Sequence, residues 1–381
     1  MKIKFLKWFI AFAMILSFFS CSKFEKGEEE DPIMQIIGEM SLKEKVCQMF
    51  ILRPESLVRP DDPKSLEVTQ LSEEMIGFFR DYPAGGFCLF AHNIITPEQI
   101  TEFTKALHSL SPKPLLCIDE EGGRVARLAN NDAFGLTKYE SMTALAGEGE
   151  QKVYEASRYI GSYVRKYGFD VDFAPVADVN TNPENIVIGA RAFSDNPQTA
   201  ATMVVSYLNG LWYSGITGCI KHFPGHGDTK NDTHTGYAES MKTWDEMARC
   251  EMIPFKAGIA AGTELIMTAH IAAPNVTGSD IPSTMSSVIL QEKLRGELGY
   301  KGIIVTDAIE MGAITQKYTP AEAAIETVKA GVDIVLLPAD YTKAVDGIIK
   351  AVDNGTLDEK KIDESVYRIL SLKKKKGLLD N

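Results

Sequence analysis

Eight short apolar runs, separated by longer segments of helical spacing, constrain this chain more than any other feature. The runs cover residues 46–52, 86–90, 115–119, 171–176, 218–222, 265–270, 302–306 and 333–337. Most are nearly continuous rather than alternating, as expected where both faces of a parallel sheet are covered. Between them, residues 97–110 put Ile100, Phe103 and Leu107 on one helical face, with Pro97 in the first turn. Residues 151–167, 197–212, 286–298, 320–330, 343–354 and 360–372 carry similar helical spacing, and 58–69 is a polar, Pro-containing loop. This alternation predicts an α/β fold, a (β/α)8 TIM-type barrel forming a single catalytic domain over residues 33–372. The rival is an open doubly wound sheet. It usually needs fewer strands, and no Gly-x-Gly-x-x-Gly turn follows the first run.

In such a barrel the chemistry sits at the carboxyl ends of the strands, so the polar residues after each run are the informative ones. The third exit begins Asp119-Glu120-Glu121 and continues to Arg124 and Arg127; the fourth passes Asp172 and Asp178 to Arg191. The fifth gives Lys221-His222, then His226, Asp228, Asp232 and His234, while the sixth gives His270 and the seventh Asp307 and Glu310.

Three readings of this cluster compete. Hydrolysis of a sugar acetal needs one carboxylate to attack or stabilise an oxocarbenium-like centre and a proton donor opposite it. Asp307, at the tip of a strand, suits the first role, and His234 or Glu310 the second. A metallohydrolase would draw its ligands from His222, His226, Asp228, Asp232, His234 and Asp307. However, Pro224 and Gly225 break any helix that would align His222 with His226. The first run also lacks a His-x-His pair, having Cys47-Gln48-Met49-Phe50 instead. The metal-free reading is therefore preferred. The third reading is structural, since isolated Asp and His residues beside Gly and Pro often cap helices or tie turns. It leaves unexplained why four of the six histidines fall at strand exits, and why residues 225–236 form a glycine-containing loop that is costly to order.

Composition narrows the partners. Forty basic residues against 52 acidic ones give a net charge of −12, which argues against a nucleic-acid partner. The one visible basic run is Lys373–Lys376, in a stretch (373–381) that reads as a basic C-terminal tail. At the amino end, Lys2, Lys4 and Lys7 precede an apolar run ending at Ser20-Cys21. That order reads as a signal peptide over residues 1–20, and the small residue before Cys21 resembles a bacterial lipobox. The expectation is acylation of Cys21, an acidic flexible tether over 21–32, and a membrane-anchored lipoprotein of a bacterial cell envelope. The other five cysteines match no metal spacing and read as buried thiols.

Several segments resemble glycoside hydrolase family 3. The stretch from Lys221 through His222, His226 and Asp232 to His234 looks like the family signature, in the branch of single-domain bacterial β-N-acetylglucosaminidases whose acid/base is a histidine. Residues 118–128, 173–183, 188–193 and 305–311 resemble further motifs of that branch, in family order. The resemblance implies Asp307 as nucleophile and His234, paired with Asp232, as acid then base. It implies Asp119, Arg191, Lys221 and His222 as holders of the sugar hydroxyls, with Arg124 supporting the third-strand loop. It also implies a retaining, cofactor-free exo-hydrolase of β-GlcNAc-terminated glycans, such as a muropeptide or chitin fragment. The enzyme alternatives are a β-glycosidase or phosphorylase of other sugar specificity; outside enzymes, the rival is a glycan-binding lipoprotein without turnover.

Overall fold

In the computed structural model, which describes residues 31–229 and 238–379, the apolar runs become eight parallel strands. They are β1 (Phe50–Leu52), β2 (Gly86–Leu89), β3 (Leu115–Ile118), β4 (Val171–Asp172), β5 (Thr217–Phe223), β6 (Leu265–Thr268), β7 (Ile303–Thr306) and β8 (Val335–Leu336). They lie in the order β7-β6-β5-β4-β3-β2-β1-β8. A bridge between Val305 and Ile334 brings β7 and β8 together, with the Thr306 N–H donating to the Ile334 carbonyl at 3.0 Å. The result is a nearly closed (β/α)8 barrel, as the alternation predicts. Every residue of all eight strands is buried, which explains runs that are apolar throughout rather than at every second position.

Two runs are shorter than expected for identifiable reasons. Residues 46–48 belong to a helix, Leu42–Gln48, started by a reciprocal cap between Ser41 and Glu44; this satisfies its first N–H groups and wins over strand propensity. The fourth run pairs regularly only at Val171–Asp172, since Pro175 has no N–H for a ladder, and a single bridge joins Val176 to Lys221. A further helix, Glu73–Asp81, fills the β1–β2 connection, capped by Ser72 and burying Met75 and Phe79 one turn apart.

The carboxyl end also differs from a tail. The last helix spans Glu359–Lys375, with Lys373 fully buried. Its ammonium donates to Gln48 Oε1 at 2.6 Å and to the Lys113 carbonyl at 2.8 Å. The helix continues because its apolar stripe does: Leu370 and Leu372 are buried, and Leu378 beyond it is buried too. At the other end Asp31, placed in the tether by sequence, caps the helix Pro32–Glu39 and accepts from the Tyr367 hydroxyl at 2.7 Å. Residues 1–30, with the signal-like run and Cys21, lie outside the described residues. Among the described residues no helix is long and apolar enough to cross a membrane.

Burial pushes the Lys373 ammonium down to about 7. Between that value and the ordinary lysine range the unfolded chain binds more protons than the native one, so this residue's contribution to stability grows as pH rises through the window. Lys373→Met strands the Gln48 and Lys113 acceptors, at a cost of about 1–3 kcal/mol. The difference from wild type in denaturant midpoint is expected to be larger at pH 9 than at pH 6.5; a pH-independent difference contradicts the assignment.

Candidate active site

A cavity of about 710 Å3 opens over the carboxyl ends of the strands. Past β3 the chain turns back as a short antiparallel hairpin, Glu120–Gly122 against Val125–Ala126. Gly122 and Gly123 sit at its turn with φ of 88° and 60°, where a side chain would be strained. Beneath it, the buried Glu120 carboxylate accepts from the Leu128 and Ala129 N–H groups at 2.8 and 2.9 Å and from the Tyr163 hydroxyl at 2.8 Å. With Glu120 turned inward as an anchor, its neighbours Asp119 and Glu121 both line the cavity.

There they meet cations from two other elements. Lys221, on β5, lies 2.9 Å from Asp119 and 2.7 Å from Glu121. Arg191, from the loop after β4, grips Glu121 with two bonds of 2.6 and 2.9 Å. Arg127 approaches Asp119 at 3.3 Å. Burial alone would discharge the Lys221 ammonium, but Asp119 and Glu121 outweigh it and raise its pKa. Burial likewise opposes the charge on Glu121, yet Arg191 and Lys221 hold it well below the usual carboxylate range. Each charge is therefore retained because its neighbours are charged.

Asp178 organises the histidines. It is buried, and it accepts from the backbone N–H of His226 at 2.6 Å and from the His222 backbone N–H at 3.2 Å. Its Oδ2 lies 2.7 Å from His222 Nδ1. A carboxylate only accepts, so Nδ1 is the donor, and His222 Nε2 turns to Arg191 Nη2 at 3.4 Å. Burial would raise the Asp178 pKa, but His222 and His226 together bring it below the ordinary value. His226 packs deeper, with Nδ1 2.7 Å from Thr229 Oγ1, and burial lowers its pKa.

Asp307 follows β7 directly and is half-buried at the cavity floor. Its Oδ1 accepts from the Ala308 N–H at 2.8 Å. Burial opposes its charge, but His222 and His270, helped by that N–H and by Lys221, keep its pKa below the ordinary aspartate value. An ionised carboxylate at a rigid strand tip, facing a polar cavity, is suited to nucleophilic attack. Glu310, the other candidate proton donor, is engaged by Arg53 and by Lys64, the latter at 3.3 Å.

The structure thus brings together Asp119, Arg191, Lys221, His222 and Asp307. Arg124 lines the cavity rim as an exposed latch: its guanidinium donates to the Ile186 and Val187 carbonyls, tying the hairpin to the loop after β4. Asp232 and His234 lie in 230–237, outside the described residues. Among the described residues no three His, Cys, Asp or Glu side chains converge as a metal-ligand set. Sequence reasoning passed over the roles of Glu121 and Asp178. For Asp178 the available signal was a charged residue embedded in apolar sequence past a strand, which has to find a partner when buried; Glu121, in a charged, glycine-containing stretch, carried no such mark.

Asp178→Asn removes the carboxylate bonded to both histidine segments and leaves donors competing for one oxygen. A loss of about 2–3 kcal/mol is expected near neutral pH. Because the native Asp178 pKa is depressed, its contribution is present above the ordinary carboxylate value and lost as pH falls through the native one. The gap between wild type and variant in urea unfolding should therefore narrow below about pH 4; a gap that widens there refutes the account.

Known proteins resemble this chain over most of its length. Residues 41–372 match the N-terminal domain of glycosyl hydrolase family 3. A curated relative from Stenotrophomonas maltophilia, named beta-hexosaminidase, is 34% identical over 76% of this chain and 86% of its own length. Beta-hexosaminidase A of Pseudoalteromonas piscicida is 35% identical over 83% of this chain, which spans 58% of that protein. A family 3 β-N-acetylglucosaminidase structure from Paenibacillus superposes with a TM-score of 0.82 at 33% identity, covering 90% of this chain and 64% of that one. This chain belongs to glycosyl hydrolase family 3.

Proposed function

We propose that the chain is a retaining, exo-acting β-N-acetylglucosaminidase that releases terminal β-linked N-acetylglucosamine. The observation that carries this reading is the ionised Asp307 carboxylate facing a cavity whose wall is the charged set Asp119–Lys221–Glu121–Arg191 with His222. Such a wall offers fixed donors and acceptors to the hydroxyls of one pyranose ring, as an exo-acting first subsite requires. The names of the relatives, and the Paenibacillus structure's description, support N-acetylglucosamine as that ring.

In the first step Asp307 attacks the anomeric carbon while His234 gives its proton to the departing glycosidic oxygen, so the C–O bond breaks as the ester forms. In the second, His234 takes a proton from water, which attacks the same carbon and frees Asp307 with net retention. Asp232, two residues away in sequence, orients the imidazole and stabilises its charged form. The reading needs no metal or cofactor. We further propose that the enzyme is exported and tethered to a bacterial membrane by acylated Cys21, which the amino-terminal order of basic, apolar and small residues supports.

Asp307→Ala should abolish turnover of every β-glycoside. His234→Ala should slow release of a sugar leaving group by roughly 10²–10⁴-fold, yet give a burst with a dinitrophenyl β-GlcNAc, followed by slow turnover that azide accelerates. Equal slowing of good and poor leaving groups, without a burst, would remove His234 from the mechanism. Running the same substrates with and without phosphate separates hydrolysis from phosphorolysis.

The pH profile supplies a second check. Asp307 is held below the ordinary aspartate range, so it stays ionised from about pH 5 upward. Any limb of kcat/KM for a sugar leaving group between pH 5 and 8 then belongs to another group, and it should disappear in His234→Ala measured with the same substrate. A limb that survives in that variant contradicts the assignment.

A further inference from the structure

The basic run Lys373–Lys376 plays no part in the catalytic face, and its side chains go to different places. Lys373 is buried, Lys374 remains exposed, and Lys375 pairs with Glu264. Lys376 turns into a second cavity of about 670 Å3 on the opposite face, at the amino ends of the barrel strands. That position follows from the lining: Asp170 directly precedes β4, Gly215 and Ile216 precede β5, and Glu264 precedes β6.

In this cavity the Lys376 ammonium donates to the Gly215 carbonyl at 2.9 Å, and Arg165 Nη1 approaches the same oxygen at 3.5 Å. The two cations therefore lie no farther apart than the sum of those distances. One cation on a carbonyl just past a helix end is ordinary capping. A second on the same oxygen adds like-charge repulsion that a neutral acceptor does not offset. The carboxylates nearby have other partners: Glu264 is paired with Lys375, and Asp170 accepts from His108 Nε2 at 3.0 Å and the Leu116 N–H at 2.8 Å. Neither Arg165 nor Lys376 forms an ion pair among the described residues. The space for the guanidinium depends on a glycine. Gly215 has φ of 79°, and a Cβ there would fall 2.0 Å from Arg165 Nη1. Trp212, half-buried, supplies an apolar wall beside the pair.

We propose that this cavity is a second binding site, for a sugar-sized ligand bearing an oxyanion, with the oxyanion bridging Arg165 and Lys376 and the ring lying along Trp212. A phosphate monoester or a carboxylate would supply the charge that the pair lacks, since both groups accept charge-assisted bonds from two donors at once. The arrangement also has a chemical signature. Burial pushes the Lys376 ammonium down to about 8 although the Glu264 and Asp170 carboxylates oppose it, so its amine should acylate unusually fast at pH 8 until an anion occupies the site.

The test uses the full chain with glucose 6-phosphate, gluconate, inorganic phosphate and glucose as probes. Binding is followed by calorimetry, and Lys376 acetylation at pH 8 by peptide mass spectrometry. The expected result is that glucose 6-phosphate or gluconate binds and protects Lys376, while glucose does neither. Inorganic phosphate binding more weakly than the sugar phosphate would support the ring's place on Trp212. Arg165→Gln and Lys376→Met should each weaken binding by about 10-fold or more, with thermal midpoints confirming that both variants fold. Protection of Lys376 in the wild-type chain is independent of whether they do. No binding by any sugar anion at millimolar concentration, binding unchanged in both variants, or equal protection by glucose overturns the proposal and leaves the two cations as helix caps.

Discussion

The row of alternating charges Arg127–Asp119–Lys221–Glu121–Arg191, buried at its centre, is the constraint on which the catalytic face depends. Its members come from the exit of β3, the hairpin after it, β5 and the loop after β4, so it also cross-links the elements that carry the site. Taking an ammonium such as Lys221, 2% exposed, out of water costs several kcal/mol unless opposite charges and hydrogen bonds repay it. Here two carboxylates flank it and a bidentate arginine finishes the row. A chain satisfied this way gives little net stability over an apolar core. What it supplies is a rigid set of donors and acceptors aimed at one place, held there before any ligand arrives.

Asp307 uses the same fields. Asp307 touches none of the row directly, yet Lys221 and the Asp178-oriented His222 contribute to keeping it ionised despite burial. His270 adds to this from β6's end: its Nε2 donates to the Ala308 carbonyl at 3.0 Å, holding the residue whose N–H bonds the Asp307 carboxylate. The barrel's contribution is to make these positions rigid, since each is at or beside the end of a fully buried strand.

The architecture was legible because burial on both faces leaves continuous apolar runs, and the helices between them kept their spacing. Boundaries failed where a local term competed with the run. A reciprocal Ser41–Glu44 cap drew residues 46–48 into a helix, and Pro175 cut β4 to two residues. Lys373 defeated composition altogether, because a lysine run reads as solvated tail while its aliphatic stem and two neutral acceptors bury it. Within the site, Asp119, Arg191, Lys221, His222 and Asp307 were visible as polar residues at strand exits. Glu121 and Asp178 were not singled out, because their importance lies in which distant cations and imidazoles they face, and pairing across 70 or 44 residues leaves no local mark.

The central claim is that Asp307 becomes covalently glycosylated. A slow-turnover dinitrophenyl β-glycoside carrying fluorine at the 5-position of a GlcNAc ring should trap the intermediate, and peptide mass spectrometry then locates the adduct. The account predicts one sugar per chain, on the peptide containing Asp307 and on that carboxylate. A chain inactivated with its label on another residue, or turnover giving the inverted anomer with no adduct, contradicts it.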